Sequence, residues 1–181
     1  MVSAANPIAA EAGRKILRNG GNAIDAAITM QLVLNLVEPQ SSGIGGGGFL
    51  ISYQAKTGDI TSYDGRETAP NSAHPYMFLD GTGKPKDYRK TTVGGLSVGV
   101  PGLLHMLEQA HKKHGRLPWA MLFNPAIKLA EDGFSISKRL YESIKRDHRL
   151  KSFYSAADYF FTNDGNPKPV GTKLKNTKFA S

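Results

Sequence analysis

The chain has 181 residues, 40% of them hydrophobic and 21% charged, a composition that suits one globular domain and excludes a disordered chain. It has no cysteine, which excludes a disulfide framework, a zinc–thiolate site and a cysteine nucleophile. The formal charge of +8 is unevenly spread: residues 1–80 hold 5 basic and 7 acidic side chains, residues 81–181 hold 18 and 8. A basic half can signify nucleic acid or an acidic membrane surface. Here the charges are scattered without interleaved aromatics or a nucleic-acid motif, so a solvated face is the expectation and nucleic acid is not. No run reaches the roughly 18 apolar residues of a membrane span. The first residues, Met1 to Lys15, lack the charged start and apolar core of a signal peptide.

Asn6-Pro7 predicts a helix start, with Asn6 as N-cap and Pro7 in the first turn. Ile8, Ala12, Ile16 and Leu17 then share one face. Asn19-Gly20-Gly21 stops that helix, and Asn22 caps a second, Ala23 to Val37, apolar nearly all round and so expected to be buried on several sides. Pro39 closes it. Five glycines follow within six residues, Gly43 and Gly45 to Gly48. Phe49 to Ala55 and Asp59 to Asp64 alternate around Lys56-Thr57-Gly58, which predicts a β-hairpin. Asp64-Gly65 makes a turn and leaves Arg66 at the mouth of the second strand.

Residues 70–99 read as irregular, with Thr91 to Val100 strand-like but broken by glycine. Pro101 opens a third helix with Leu103, Leu104, Leu107 and Ala110 inward and Gly115 as its stop. Pro118 begins a short turn through Trp119 and Leu122. Asn124-Pro125 starts another helix, ending at Gly133, and Ser137 caps one that runs to about Arg149 along Leu140, Tyr141 and Ile144. After Phe161 the chain is rich in Asn, Gly, Pro and Lys, and 161–181 reads as a basic, flexible tail. No internal repeat is visible.

The candidate sites each have a plainer reading. Gly43 to Gly48 fits G-x-G-x-x-G, but the dinucleotide fingerprint needs a strand before it and a helix after it. The order here is the reverse, so close backbone packing is the better reading. Arg66 is either half of a weak surface ion pair with Glu67 or a fork for a substrate carboxylate. His105, Glu108, His111 and His114 share one helix, but carboxylate-bridged metal sites need a second helix with a matching set. No metal and no cofactor is expected. His74 and His148 show no partner. Ser41-Ser42 and Thr91-Thr92 lie outside any nucleophile motif and read as structural hydroxyls.

Several stretches, taken together and in order, resemble the γ-glutamyltranspeptidases. They are NPIAAEAGRKILRNGGNAIDAAI, VEPQSSGIGGGGF, YDGRETAP, VGVPG and PAIKLAEDGF, and the likeness runs from Met1 to about Gly133 and more weakly beyond. The resemblance implies an α+β fold, part of the four-layer αββα sandwich of the N-terminal-nucleophile hydrolases, to which this chain would bring helices and a hairpin. It implies a precursor that cuts itself into two subunits. The new N-terminal threonine of the small subunit attacks a γ-glutamyl amide such as glutathione, and the glutamyl group passes to water, an amino acid or a peptide. An N-terminal threonine suits this because its own α-amine can serve as base.

The family's marked substrate contact falls on Arg66, as a clamp for the glutamyl α-carboxylate. Members run to about three times this length, so residues 1–160 are expected to be the N-terminal portion of the large-subunit region. The catalytic small-subunit region is expected to be absent, and the chain alone inactive. The implied partners are a γ-glutamyl substrate and the missing small-subunit half, with self-association through faces meant for that half. Members are usually periplasmic or extracellular. A non-catalytic remnant that binds γ-glutamyl or acidic amino-acid ligands or a partner chain is the alternative.

Overall fold

The computed structural model describes all 181 residues, Met1–Ser181. They fall into two compact units, residues 1–43 with 110–181 and residues 44–109.

The first unit begins with a helical hairpin. Helix α1 spans Pro7–Arg18 and α2 spans Ala23–Val37. The Asn6 carboxamide oxygen accepts from the Ile8 N–H at 3.0 Å and caps α1. Gly20, at φ +90°, turns the chain out of that helix. Asn22 and Asp25 then form a capping box, in which Asn22 accepts from the Asp25 N–H and Asp25 accepts from the Asn22 N–H. Each such cap is worth about 1 kcal/mol. The two helices pack where α1 has almost no side chain: a Cβ on Gly13 would lie 2.6 Å from the Met30 Cγ.

The buried stripe of α1 is therefore Ala9, Ala12, Gly13 and Ile16. Ala12 and Ile16 lie where the periodicity puts them, but Ile8 is exposed and Leu17 only half-buried. The small residues set the face because they allow the closest helix approach. Helix α2 buries residues on several sides, as its composition requires. No helix is long and apolar enough to cross a membrane.

The rest of the first unit is built of short pieces. A 3₁₀ turn, Trp119–Leu122, leads into α5, Asn124–Asp132; before it in the chain come α3, Tyr88–Thr91, and α4, Leu103–His114, of which only the residues from Ala110 on belong to this unit. The buried Thr29 hydroxyl donates to the Leu122 carbonyl at 3.0 Å. Gly133, at φ +90°, ends α5. Helix α6 covers Lys138–Arg146 behind its Ser137 cap, with Leu140 and Ile144 buried and Tyr141 half-buried. It stops short of Arg149 because Asp147 turns back on the chain, accepting from the Arg149 backbone N–H and its guanidinium. That hydrogen bond to Arg149 holds the Asp147 carboxyl below its usual range.

Residues 161–181, expected from composition as a flexible tail, carry their own hydrogen-bonded structure. After α7, Tyr154–Phe160, Phe161 pairs with Pro167. Strand β4, Lys173–Leu174, pairs antiparallel with β3, Phe134–Ser135, and α8, Thr177–Ala180, follows. Leu174 is buried, and the Asn176 N–H donates to the Ala130 carbonyl. Strands of two residues and helices of four are too short to leave a periodic signal.

In the second unit, β1, Phe49–Gln54, and β2, Asp59–Asp64, form an antiparallel hairpin with Leu50 opposite Tyr63 and Tyr53 opposite Ile60. Gly58, at φ +79°, makes the turn. These two strands are the whole sheet, so each keeps an outer edge unpaired. Phe49, Ile51, Tyr53 and Ile60 stand exposed on it, Ile51 at 75%. Thr91 to Val100 does not make a strand. Gly94 sits at φ +93°, a 3₁₀ turn covers Gly95–Ser97, and only Val100 bridges, to Thr68. Helix α4 begins at Leu103, with Leu103, Met106, Leu107 and Ala110 buried and Leu104 only half-buried.

Candidate functional site

Arg66 follows a backbone fixed from three directions. Gly48 and Gly65 exchange both backbone hydrogen bonds, at 3.2 and 2.9 Å, extending the hairpin ladder one pair past Phe49 and Asp64. Gly65 is buried, and a Cβ there would lie 2.6 Å from the Met106 Cβ. From the other side, a Cβ on Gly47 or Gly102 would lie 2.5 Å from the Gly65 carbonyl oxygen. The Leu103 N–H donates to Gly46 O at 3.2 Å. The glycine run thus serves close backbone packing at the hairpin mouth. It is followed by a strand, so the dinucleotide arrangement is not formed.

Not every glycine of the run does this work. A Cβ on Gly43 or Gly45 would meet nothing within 4 Å. Gly99 and Gly102, in VGVPG, do as much as Gly47. A Cβ on Gly99 would lie 2.8 Å from the Glu67 Cβ and 3.1 Å from Thr68 O. Residue by residue, neither of these glycines stood out. Only the position of VGVPG among the family-like stretches marked it.

On this rigid base the Arg66 side chain is 72% exposed. Its backbone N–H donates to the Asp64 carboxylate at 2.9 Å. Its Nε lies 3.5 Å from Glu67 Oε2, so the ion pair expected from adjacency is present, at the outer limit of hydrogen bonding. Glu67 is the more enclosed partner, its side chain 32% exposed and seated against Gly47 and Gly99. A guanidinium approached at Nε keeps a planar fork of terminal N–H groups, which matches a carboxylate in bidentate geometry.

The other sequence candidates go elsewhere. His111 is drawn into a buried polar staple in the first unit. Asp25, wholly buried, accepts from the backbone N–H groups of Asn22, Arg116 and Leu117. The His111 Nε2–H donates to Leu117 O at 2.8 Å and lies 3.8 Å from the Asp25 carboxylate. Asn22 reaches the His114 carbonyl. No group of three or more His, Cys, Asp or Glu side chains gathers where a metal could be held.

Ser42 bonds to Asn35 and Gln31, and Ser41 accepts from Arg139. The Thr91 and Thr92 hydroxyls donate to carbonyls three residues back. All four hydroxyls are used structurally. Sequence reasoning did not foresee that Glu38, beside the glycine run, is buried and accepts from Asn6 and Gln40 with Arg139 nearby.

Comparison with known proteins agrees with the quoted stretches. The family model for γ-glutamyltranspeptidase matches residues 9–181. The glutathione hydrolase proenzyme of Bacillus subtilis strain 168 is 47% identical over 174 residues, which is 96% of this chain and 30% of that protein. Among solved structures, Helicobacter pylori γ-glutamyltranspeptidase superposes with a TM-score of 0.92 at 37% identity, over 98% of this chain and 51% of that one. The Pseudomonas nitroreducens enzyme complexed with L-DON gives 0.88 at 34% identity, over 99% and 51%. The chain therefore spans under a third of the length of its curated bacterial relative. Its α+β architecture is that of these N-terminal-nucleophile hydrolases, to which it brings helices and a hairpin, and the chain belongs to the γ-glutamyltranspeptidase family.

Proposed function

We propose that this chain is the N-terminal portion of the large-subunit region of a γ-glutamyltransferase/glutathione hydrolase, and that it supplies the clamp for the substrate's α-carboxylate through Arg66. One observation carries the reading. A guanidinium with an open fork rises from Gly65, a residue held in place by Gly48, Gly47, Gly102 and Met106. A closely packed backbone below an exposed cation suits the orientation of an anionic substrate. Holding the γ-glutamyl amide against a nucleophile removes orientational freedom from the barrier, an effect worth up to about 10 kcal/mol in well-aligned systems. Glu67 complements this by engaging the Nε side and leaving the terminal nitrogens for the ligand.

The acyl transfer itself is assigned to an N-terminal threonine outside these 181 residues. Its hydroxyl attacks the γ-glutamyl carbonyl and its α-amine takes the proton. The amine of the donor leaves, and water or an acceptor amine then cleaves the glutamyl ester. The exposed row Phe49, Ile51, Tyr53 and Ile60, with two unpaired strand edges, is an apolar sheet face that remaining parts of the same fold would cover.

The test uses release of a chromogenic amine from a γ-glutamyl anilide by the full-length protein. Arg66→Ala is expected to raise KM about 100-fold, the loss of two charge-assisted hydrogen bonds. Arg66→Lys should recover part of that affinity. An unchanged KM in Arg66→Ala removes this residue from the clamp role. The 181-residue chain alone should show no turnover, and activity from it would overturn the assignment of the nucleophile.

A further inference from the structure

In the second unit, the main chain at Arg66 lies between two anchors. On one side the Gly48–Gly65 pair ends the hairpin ladder, with hydrogen bonds of 3.2 and 2.9 Å. On the other, Thr68 and Val100 exchange hydrogen bonds of 3.3 and 2.8 Å. Arg66 and Glu67 span the gap and make no backbone–backbone hydrogen bond of their own. The main chain of Arg66 is held instead by a side chain: Asp64 Oδ1 accepts from the Arg66 N–H at 2.9 Å. A carboxylate oxygen bonded to the N–H two residues on closes an Asx turn around the residue between.

That residue is Gly65. Met106 leaves no room there for a side chain, so the position is filled by the residue with the widest choice of φ and ψ. The peptide group joining Gly65 to Arg66 is gripped at both ends, since its carbonyl accepts from the Gly48 N–H and its own N–H donates to Asp64. With one of these bonds gone, the peptide plane can turn about the other. The guanidinium stands at the far end of a long side chain rooted in that plane, so a small rotation at the root is a large displacement at the fork. Asp64 is exposed, and the ion pair of Arg66 is with Glu67. What Asp64 contributes is therefore an acceptor in the right place rather than its charge. We propose that Asp64 is a positioning residue for the γ-glutamyl clamp, setting the root of Arg66 so that its terminal N–H groups meet the substrate α-carboxylate. This rests on the clamp role given to Arg66.

The test is the split between KM and kcat for a γ-glutamyl anilide, measured on the full-length protein. Asp64→Ala should raise KM about 10-fold, the worth of one well-placed hydrogen bond, and leave kcat nearly unchanged. Asp64→Asn keeps Oδ1 as an acceptor and removes the charge, so it should restore KM to within about 2-fold of the parent. Added to Arg66→Ala, Asp64→Ala should change KM by less than about 2-fold further, because Asp64 acts only through Arg66. Four outcomes overturn the proposal while the clamp stands. They are an unchanged KM in Asp64→Ala when Arg66→Ala raises it, equal impairment in Asp64→Asn and Asp64→Ala, a loss confined to kcat, and losses that multiply in the double variant. An unchanged KM in Arg66→Ala removes the clamp itself, and this proposal with it.

Discussion

In the unit formed by residues 1–43 and 110–181, most of the large aliphatic side chains go inward. Ile28, Leu32, Val33, Leu122, Ile136, Leu140 and Leu174 are all buried, and the buried acids Asp25 and Glu38 have their partners. In the unit formed by residues 44–109, the largest apolar side chains of the hairpin stand outward, and much of the close packing is of backbone on backbone through glycine. Buried hydrophobic area stabilises the first unit in the ordinary way. The second gains little from its own hairpin side chains. It packs backbone closely at the mouth of the hairpin and leaves the Arg66 side chain largely exposed. Stability and the candidate site are thus concentrated in different stretches of sequence, and substitutions should separate them.

The largest expected effect tests that separation directly. Asp25→Ala strips a buried acceptor from the Arg116 and Leu117 N–H groups and should cost on the order of 3 kcal/mol in urea unfolding. Arg66→Ala, which removes a mostly exposed side chain in a weak ion pair, should change stability by less than about 0.5 kcal/mol while it raises KM about 100-fold if Arg66 is the proposed clamp. Comparable unfolding losses for the two would erase the distinction between the units.

A second, smaller pair sharpens the reading of the glycines. Gly65→Ala should cost about 2 kcal/mol, because Met106 and the Gly102 backbone must move to admit the methyl group. Gly45→Ala has open space and a backbone without positive φ, so it should be neutral or gain about 0.5 kcal/mol from the unfolded state. The same denaturation curves report both, and similar values at the two positions would show that the hairpin mouth at Gly65 has no special packing.

The smallest effect on stability belongs to the exposed row. Ile51→Glu should leave the unfolding midpoint nearly unchanged, since the side chain is already in water. It should nonetheless lower the mass of the isolated 181-residue chain in light scattering, if that chain associates through its bare sheet face. A parent chain that is monomeric at all concentrations would contradict the expectation of self-association.

What the sequence determined by itself was local or patterned over long stretches. Asn6-Pro7, Asn22 and Ser137 set helix starts because their side chains accept from N–H groups only two or three residues on. Gly58 and Gly133 marked a turn and a helix end because those positions need positive φ. The hairpin followed from period-two alternation, and the family from five motifs in order.

Tertiary structure alone decided the rest. It chose Gly13 rather than Ile8 for the packed face of α1, because the close approach of Met30 favours the smallest residue. It gave residues 161–181 their place through two-residue strand pairing and scattered backbone hydrogen bonds to Ala130, Ile136 and Phe160, too short to leave a periodic trace. It also divided the glycines into those that touch something and those that do not. That division depends on which distant backbone, Gly65 or Gly102, arrives opposite, and no spacing along the chain encodes it.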